Sequence, residues 1–272
     1  MAFEELVPIV RGLREHFDKF GIEFLIVGAK ARDIMANFSN SEIRQSTRKT
    51  TDVDFGVFVD SWETLEKLTQ SFIDDDAIVK SDTKENNIRF YYQGTPFDLV
   101  PFGGVANEKD QVSWKPAYDT IMTVTGYEEA LNSAKEYQIG NEIVKVVTPE
   151  MLVALKLVAW GENKERTRDA RDIAYILENY ELLDDGLSEV YHYYEDFLEK
   201  LDTHHETLVA IMGSRIKVVA KEKHVELIHE CLANKSFERF VQDMVEPTSL
   251  NQDQLKTKYR SYVSALIYGL SN

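Results

Sequence analysis

Cysteine is almost absent from this chain of 272 residues, in which Cys231 stands alone. One thiol cannot form an internal disulfide, which favours a reducing compartment, and the acidic start MAFEELVPIV is unlike a secretory signal. Long apolar runs are missing as well, since no stretch approaches the roughly 20 residues that span a bilayer. We therefore expect a cytoplasmic protein without a membrane partner.

Positive charge is also scarce: 31 lysines and arginines face 47 aspartates and glutamates, and the net charge is −16. Such a charge repels polyanions over long distances, so any RNA binding must rely on local basic patches. One patch consists of Arg44, Arg48 and Lys49, and another runs from Lys164 to Arg171. Ordinary surface charge, paired with nearby acidic residues, is the alternative interpretation of both.

Motifs of several other enzyme classes are missing from the sequence. The six histidines show no spacing typical of a zinc site, and no G-x-S-x-G segment marks a serine nucleophile. The sequence therefore gives no support to a zinc enzyme or to a serine or cysteine hydrolase.

The order of the predicted elements indicates an α+β fold. An amphipathic helix over residues 3–20 precedes the buried strand IEFLIVG, and VDFGVFV and the hairpin NIRFYYQGTPFDLVPF supply further strands. Thr-Pro-Glu at 148–150 is a strong helix start, and the pattern after it is almost wholly helical. We predict a small mixed β-sheet core with helices at residues 1–147 and a helical C-terminal domain at 148–272, with the active site in the cleft between them.

Two acidic residues, Asp52 and Asp54, interrupt the apolar sequence TTDVDFGVFVD at residues 50–60. Residues two apart in a strand point to the same face, so the two carboxylates repel each other and need a compensating cation. A hard divalent ion such as Mg²⁺ suits these oxygen ligands. The alternative is a D-x-D pair on an exposed strand face that has no function.

Three further features favour the metal interpretation, although Gly28 and Lys156 also have simpler explanations. Gly28 ends a strand and opens a helix, where backbone N–H groups can hold phosphate, but such turns are common. Asp98 lies in an apolar strand, and a neighbouring strand can bring it beside Asp52 and Asp54. Lys156 interrupts the apolar helix MLVALKLVAW, either as a cation aimed at a triphosphate or as a lysine that snorkels to solvent.

A glycine turn, a helix, a D-x-D strand and a third aspartate on a later strand together resemble the DNA polymerase beta nucleotidyltransferase superfamily. Within it, the chain is most similar to the AbiEii/AbiGii-type nucleotidyltransferases, many of which are toxins of bacterial toxin–antitoxin systems. The ordered set of motifs is more specific than any single one. The matching segments are VGAKARD at 27–33, RKTTDVDFGV at 48–57, PFDLVPFGG at 96–104, TGYEEAL at 125–131, LKLVAW at 155–160 and RDARDI at 168–173.

The resemblance implies a reaction that moves a nucleoside monophosphate from an NTP to an acceptor hydroxyl and releases pyrophosphate. It implies that Asp52 and Asp54 bind Mg²⁺ or Mn²⁺, and that Asp98 holds one metal and helps to deprotonate the acceptor. A purely structural charge lattice on the helix is the alternative for the RDARDI motif. The residues that the resemblance assigns to nucleotide binding are Gly28, Ala29, Lys30, Lys156, Arg168 and Asp169.

The sequence leaves the acceptor open. The resemblance suggests RNA, particularly a tRNA 3′ end, together with an antitoxin partner if the chain is a toxin of a toxin–antitoxin or phage-defence system. Nucleotidylation of a protein or small molecule is the alternative, and so is a degenerate domain that only binds a nucleotide or a partner. The superfamily usually has Gly-Gly or Gly-Ser where this chain has Gly28-Ala29, which favours the degenerate domain, whereas the intact aspartates argue against it.

Overall fold

The structure of the chain is a computed structural model that describes residues 3–39, 50–81, 88–114, 121–184, 187 and 191–272. The residues group into two units, of which the first is Met1–Ile34 with Thr47–Thr148 and the second is Met35–Ser46 with Pro149–Asn272.

The first unit is organised around a mixed β-sheet. Its strands in the described residues are β1 Phe24–Val27, β2 Val53–Val59, β3 Ile78–Lys80, β4 Arg89–Tyr92, β5 Thr95–Gly103, β6 Gln111–Ser113, β7 Ile121–Thr123, β8 Lys135–Ile139 and β9 Glu142–Val146. Seven of these described strands form one sheet in the order β3-β4-β5-β2-β1-β9-β8, and β6 pairs with β7. The central strands β1, β2 and β5 are mostly buried on both faces, which explains their nearly continuous apolar sequences.

Aromatic side chains join the helices of the first unit to this sheet. The helices that begin in it are α1 Leu6–Lys19, α2 Gly28–Ser39, α3 Trp62–Ile73 and α4 Tyr127–Asn132. The ring of Phe17 in α1 lies 4.6 Å from that of Phe24 in β1, and Phe72 in α3 lies 5.9 Å from Phe97 in β5, measured between centroids. Full burial of each such side chain contributes about 1.5–3 kcal/mol of apolar transfer free energy, so these rings hold α1 and α3 against the sheet.

The second unit is helical in its described residues. Its helices are α5 Pro149–Glu162, α6 Thr167–Glu178, α7 Tyr180–Leu183, the 3₁₀-helix Tyr191–Tyr194, α8 Glu195–Leu198, α9 His204–Val219, α10 Glu222–Cys231, α11 Lys235–Met244 and α12 Gln252–Ser271. Nearly all residues of α5 are buried and most of them are apolar, which is typical of a helix buried in a core. The predicted α+β class and the helical C-terminal part are confirmed. None of the described helices combines the length and apolar character that a membrane crossing needs.

Two glycines allow the backbones of α9 and α12 to approach closely. A Cβ atom on Gly269 would lie 1.8 Å from the carbonyl oxygen of Ala210, and one on Gly213 would lie 2.3 Å from that of Leu266. Real Cβ atoms do not approach backbone oxygens so closely, so the pair of helices depends on these two glycines.

Replacing Gly269 by alanine should therefore destabilise the second unit. The added methyl group meets backbone that cannot rotate away, and we expect a loss of about 3 kcal/mol in the free energy of unfolding. Urea unfolding followed by circular dichroism measures the loss. Ser264→Ala, at an exposed position of the same helix, is the matched control and should not destabilise. Equal stabilities of the two variants would show that the helices separate without cost.

Candidate active site

The aspartates predicted from sequence meet on neighbouring strands. Asp54 of β2 is paired in register with Asp98 of the parallel strand β5, and Asp98 is paired with Arg89 of β4. On the other side of β2, Asp54 is paired with Val27, the last residue of β1. Directly paired residues point to the same face of a sheet. Asp54, Asp98 and Arg89 therefore form one row across three strands, beside the turn that follows β1.

Arg89 joins two of the three carboxylates. Its Nε donates to Asp98 Oδ1 at 2.7 Å, and its Nη2 donates to Asp98 Oδ2 at 2.7 Å and to Asp52 Oδ2 at 3.1 Å. The bonds to Asp98, together with the charges of Asp98 and Asp52, outweigh the desolvation of the guanidinium and raise the pKa of Arg89 above its usual value. Burial by itself raises the pKa of Asp52, but hydrogen bonds from the Thr50 hydroxyl and the backbone and the charge of Arg89 reverse this, so the pKa lies below its usual value.

Sequence reasoning missed Arg89, although a signal for it exists. The hairpin pairs Tyr92 with Thr95 across the turn at Gln93 and Gly94, and the same register, counted back along both strands, places Arg89 opposite Asp98. An arginine facing an aspartate within an apolar hairpin is thus predictable once the turn is recognised.

Gly28 lies against the carboxylate of Asp54. Its φ is +69°, and a Cβ atom built on it would lie 1.9 Å from Asp54 Oδ2. Glycine is required here because of both the left-handed backbone and the carboxylate that fills the space. The turn therefore brings the first residue of α2 directly onto the D-x-D strand, while Ala29 after it is buried.

Lys30 contacts the segment that leads into the D-x-D strand. Its buried ammonium donates to the carbonyl oxygen of Thr50 at 3.1 Å, and the hydroxyl of Thr50 in turn donates to Asp52 Oδ1. Lys30 therefore helps to orient Asp52 through Thr50. Its predicted contact with a nucleotide stays a prediction.

In the second unit, Lys156 is buried between two carboxylates. Its Nζ lies 2.8 Å from Asp169 Oδ1 and 2.8 Å from Asp172 Oδ2, and only 9% of its side chain is exposed. The interpretation of Lys156 as a snorkelling lysine is therefore wrong. Burial lowers the pKa of Lys156, but the two carboxylates outweigh it and raise the pKa above its usual value, so the ammonium is charged.

Asp169 is held by two cations. It also accepts a hydrogen bond from Nε of Arg166 at 2.6 Å. Burial raises the pKa of Asp169, but the positive charges of Lys156 and Arg166 lower it by more, so the pKa lies below its usual value. The two aspartates of the RDARDI motif, Asp169 and Asp172, thus take part in a buried ion cluster, whereas Arg168 in the same motif is exposed.

The two basic patches differ in what the structure describes. Arg44, Arg48 and Lys49 lie outside the described residues. In the second patch, Arg166 pairs with Asp169 at 2.6 Å and Arg171 pairs with Glu246 at 2.7 Å. Pairing with nearby acids, the simpler interpretation, therefore holds for part of this patch.

The carboxylates around Arg89 are of the chemical type that a divalent cation takes as ligands. Asp52 and Asp98 present carboxylate oxygens, the ligands that Mg²⁺ prefers, and the guanidinium of Arg89 acts as a stand-in cation between them. In the described part of the chain, no three His, Cys, Asp or Glu side chains gather into a group that could hold a metal ion. The metal role of Asp52, Asp54 and Asp98 stays a prediction.

The mixed sheet, its row of aspartates and the glycine turn are typical of a nucleotidyltransferase. A family model described as nucleotidyl transferase AbiEii toxin, type IV TA system, matches residues 41–265. The chain therefore belongs to the AbiEii nucleotidyltransferase family. No curated protein sequence matches it.

Two solved structures are similar to parts of the chain. An antigenic nucleotidyltransferase-like protein from Paracoccidioides brasiliensis shows 16% identity and a TM-score of 0.42, with 73% of this chain and 93% of that one covered. The antibiotic-resistance factor ANT(2'')-Ia shows 13% identity and a TM-score of 0.35, with 71% and 96% covered.

Replacing Lys156 by methionine should destabilise the second unit by about 3–5 kcal/mol, because it removes the buried ammonium that both carboxylates share and, among the described residues, leaves only Arg166 beside Asp169. Urea unfolding at neutral pH measures the effect. Lys256→Met is the matched control, because the partner of Lys256, Asp253, is fully exposed. Adding Asp169→Asn and Asp172→Asn to Lys156→Met should recover part of the loss. A Lys156→Met protein as stable as the wild type would contradict the buried cluster.

Replacing Gly28 by alanine should destabilise the first unit by more than backbone strain alone. Gly94→Ala provides the comparison, because its φ is +86° but nothing lies within 4 Å of the added Cβ atom. We expect about 1 kcal/mol of strain for Gly94→Ala and a larger loss for Gly28→Ala. Thermal unfolding measures both variants.

A double-mutant cycle isolates the contact between Gly28 and Asp54. In an Asp54→Ala background, Gly28→Ala should cost less, because the colliding carboxylate is gone. Additive losses would show that Asp54 does not require glycine at position 28.

Proposed function

We propose that the protein is a metal-dependent enzyme that transfers a nucleoside monophosphate from an NTP to an acceptor hydroxyl and releases pyrophosphate. The observation that carries this proposal is the register that pairs Asp54 with Asp98 on adjacent parallel strands, with Gly28 against Asp54. Neighbouring carboxylates need a compensating cation, a role that Arg89 fills for Asp98 and Asp52 and that a divalent ion can also fill.

Each residue of the site has a role in this proposal. Asp52, Asp54 and Asp98 hold Mg²⁺ or Mn²⁺, which when bound stabilises charge on the phosphoryl oxygens and on the leaving pyrophosphate. Asp98 accepts the proton of the acceptor hydroxyl. Gly28 offers its backbone N–H at the start of α2 to a phosphate, where the helix dipole favours negative charge.

The remaining nucleotide contacts are part of the same proposal. Lys30 orients Asp52 through Thr50. In this proposal Lys30 therefore acts on the phosphates indirectly, through Asp52. Arg168 is exposed on the helix that contains Asp169, so solvent and a nucleotide can reach it. Lys156 holds that helix in place through its ion pairs with Asp169 and Asp172.

We infer that the acceptor is RNA, with a tRNA 3′ end as the first candidate, and that the protein is a cytoplasmic toxin with an antitoxin partner. The family description as a toxin of a type IV TA system supports the toxin role, and RNA as the acceptor is what the resemblance suggests. With a net charge of −16, RNA must be recognised through local basic residues. A protein or small-molecule acceptor is the second candidate, and a phage-defence role is compatible with either.

Incubation with each α-labelled NTP, Mg²⁺ and separate RNA, protein and small-molecule fractions of a cell extract tests the reaction. We expect label in RNA with one preferred NTP, and a rate that falls as salt rises, because phosphate contacts release counterions. Asp54→Asn should lower the rate about a hundredfold or more, since it removes a ligand to the charge-stabilising metal. Asp253→Asn, at a fully exposed position, is the control that should leave the rate unchanged.

The outcomes separate the candidates. Label in protein or small molecules would replace RNA as the acceptor, and a rate that survives EDTA would overturn the metal requirement. Absence of label in every fraction, with all four NTPs, would leave the degenerate binding domain as the better interpretation.

A further inference from the structure

The guanidinium of Arg89 occupies oxygens of two carboxylates that the proposed function assigns to metal. It contacts both oxygens of Asp98 at 2.7 Å and a single oxygen of Asp52 at 3.1 Å. Asp98 is also the less exposed of the two carboxylates: its side chain is 12% exposed, against 35% for Asp52 and 29% for Arg89. The contact with Asp52 is thus the longer, single and more exposed of the two.

We propose that Arg89 is a built-in counter-cation that competes with the divalent metal for Asp52 and Asp98. The inference rests on the proposed function, because it takes these aspartates as metal ligands. Without metal, Arg89 neutralises the row of carboxylates and holds it in register. When metal binds, the guanidinium leaves Asp52 first, because that contact is the weaker one.

Electrostatics makes the two cations exclusive. A divalent ion on Asp52 and Asp98 would lie within a few ångströms of the guanidinium, and like charges at that distance repel each other strongly even at the effective dielectric constant of a protein surface. The metal therefore binds fully only when Arg89 moves. The aspartates alone would bind metal more tightly than the aspartates with Arg89.

The displaced guanidinium has a natural partner in the substrate. Its planar fork, which now matches the carboxylate of Asp98, matches a phosphate equally well. An NTP that arrives with its metal supplies such phosphates at the same moment. Arg89 thereby couples metal binding to nucleotide binding, so that metal alone binds weakly and metal with NTP binds well.

A purely structural role is the rival explanation. Arg89 and Asp98 are register partners, so their ion pair also fastens β4 to β5. If the role of Arg89 is purely structural, removing it should lower the stability of the protein and leave its affinity for metal unchanged or weaker. Competition predicts lower stability without metal together with tighter metal binding.

Titration calorimetry with Mn²⁺ alone distinguishes the two. We expect Arg89→Met and Arg89→Gln to bind Mn²⁺ with a Kd about tenfold lower than the wild type, as for the loss of one neighbouring positive charge. Thermal unfolding should show a lower Tm without metal and a larger rise on Mn²⁺ saturation. Arg89→Lys retains the positive charge, so its Kd for Mn²⁺ should lie close to that of the wild type. Arg14→Met is the matched control, because Arg14 pairs with Glu142 elsewhere in the first unit and its loss should not change the Kd.

Folded Arg89→Gln protein with unchanged or weaker Mn²⁺ binding would overturn competition, and the Gln variant keeps this test available if the Met variant does not fold. A non-hydrolysable NTP analogue tests the coupling: it should tighten Mn²⁺ binding more in the wild type than in Arg89→Gln, and equal tightening would refute the phosphate step. Neither readout uses nucleotide transfer. Failure of the proposed transfer therefore leaves the affinity result standing, and failure of the affinity result leaves the transfer assay untouched.

Discussion

Carboxylates on neighbouring strands repel each other, and the central sheet tolerates them because a guanidinium lies between two of them. Arg89 ties Asp98 and Asp52 together from the adjacent strand β4, and Gly28 gives Asp54 its space by having no side chain. The geometry of the site depends on both the charge of Arg89 and the space at Gly28. Within the site, Asp54 and Asp98 lie at paired positions of adjacent strands.

The second unit solves the same physical problem with a different cation. Lys156 enters an apolar helix and is compensated by Asp169 and Asp172, so a charge that would be costly in the core becomes part of a buried cluster. The family motifs of the two units thus differ in their exposure to solvent. The two carboxylates of the D-x-D segment are partly exposed, whereas Lys156 is buried against the helix that contains Arg168.

Much of the local structure could be predicted from the sequence. The apolar sequence VDFGVFV forms β2 at Val53–Val59, and Thr-Pro-Glu opens α5 at Pro149. The ordered motifs also led to the family, because residue type and order survive without knowledge of distances. The partners of Lys156 could not be predicted in this way, since an apolar helix with one lysine has the same pattern whether the ammonium reaches solvent or a buried carboxylate.

By itself, then, the sequence determined the elements, the class of the fold and the residue types that the chemistry needs, because periodicity, turn residues and motif order are local properties. Apart from the Arg89–Asp98 pair, which the hairpin register predicts, the tertiary structure alone decided which charges compensate one another. Arg89 is nine residues from Asp98 but 37 from Asp52, and Lys156 is 13 and 16 residues from its two partners. Such pairs depend on strand register and helix packing, and a shift of one residue in a strand would turn each side chain to the other face.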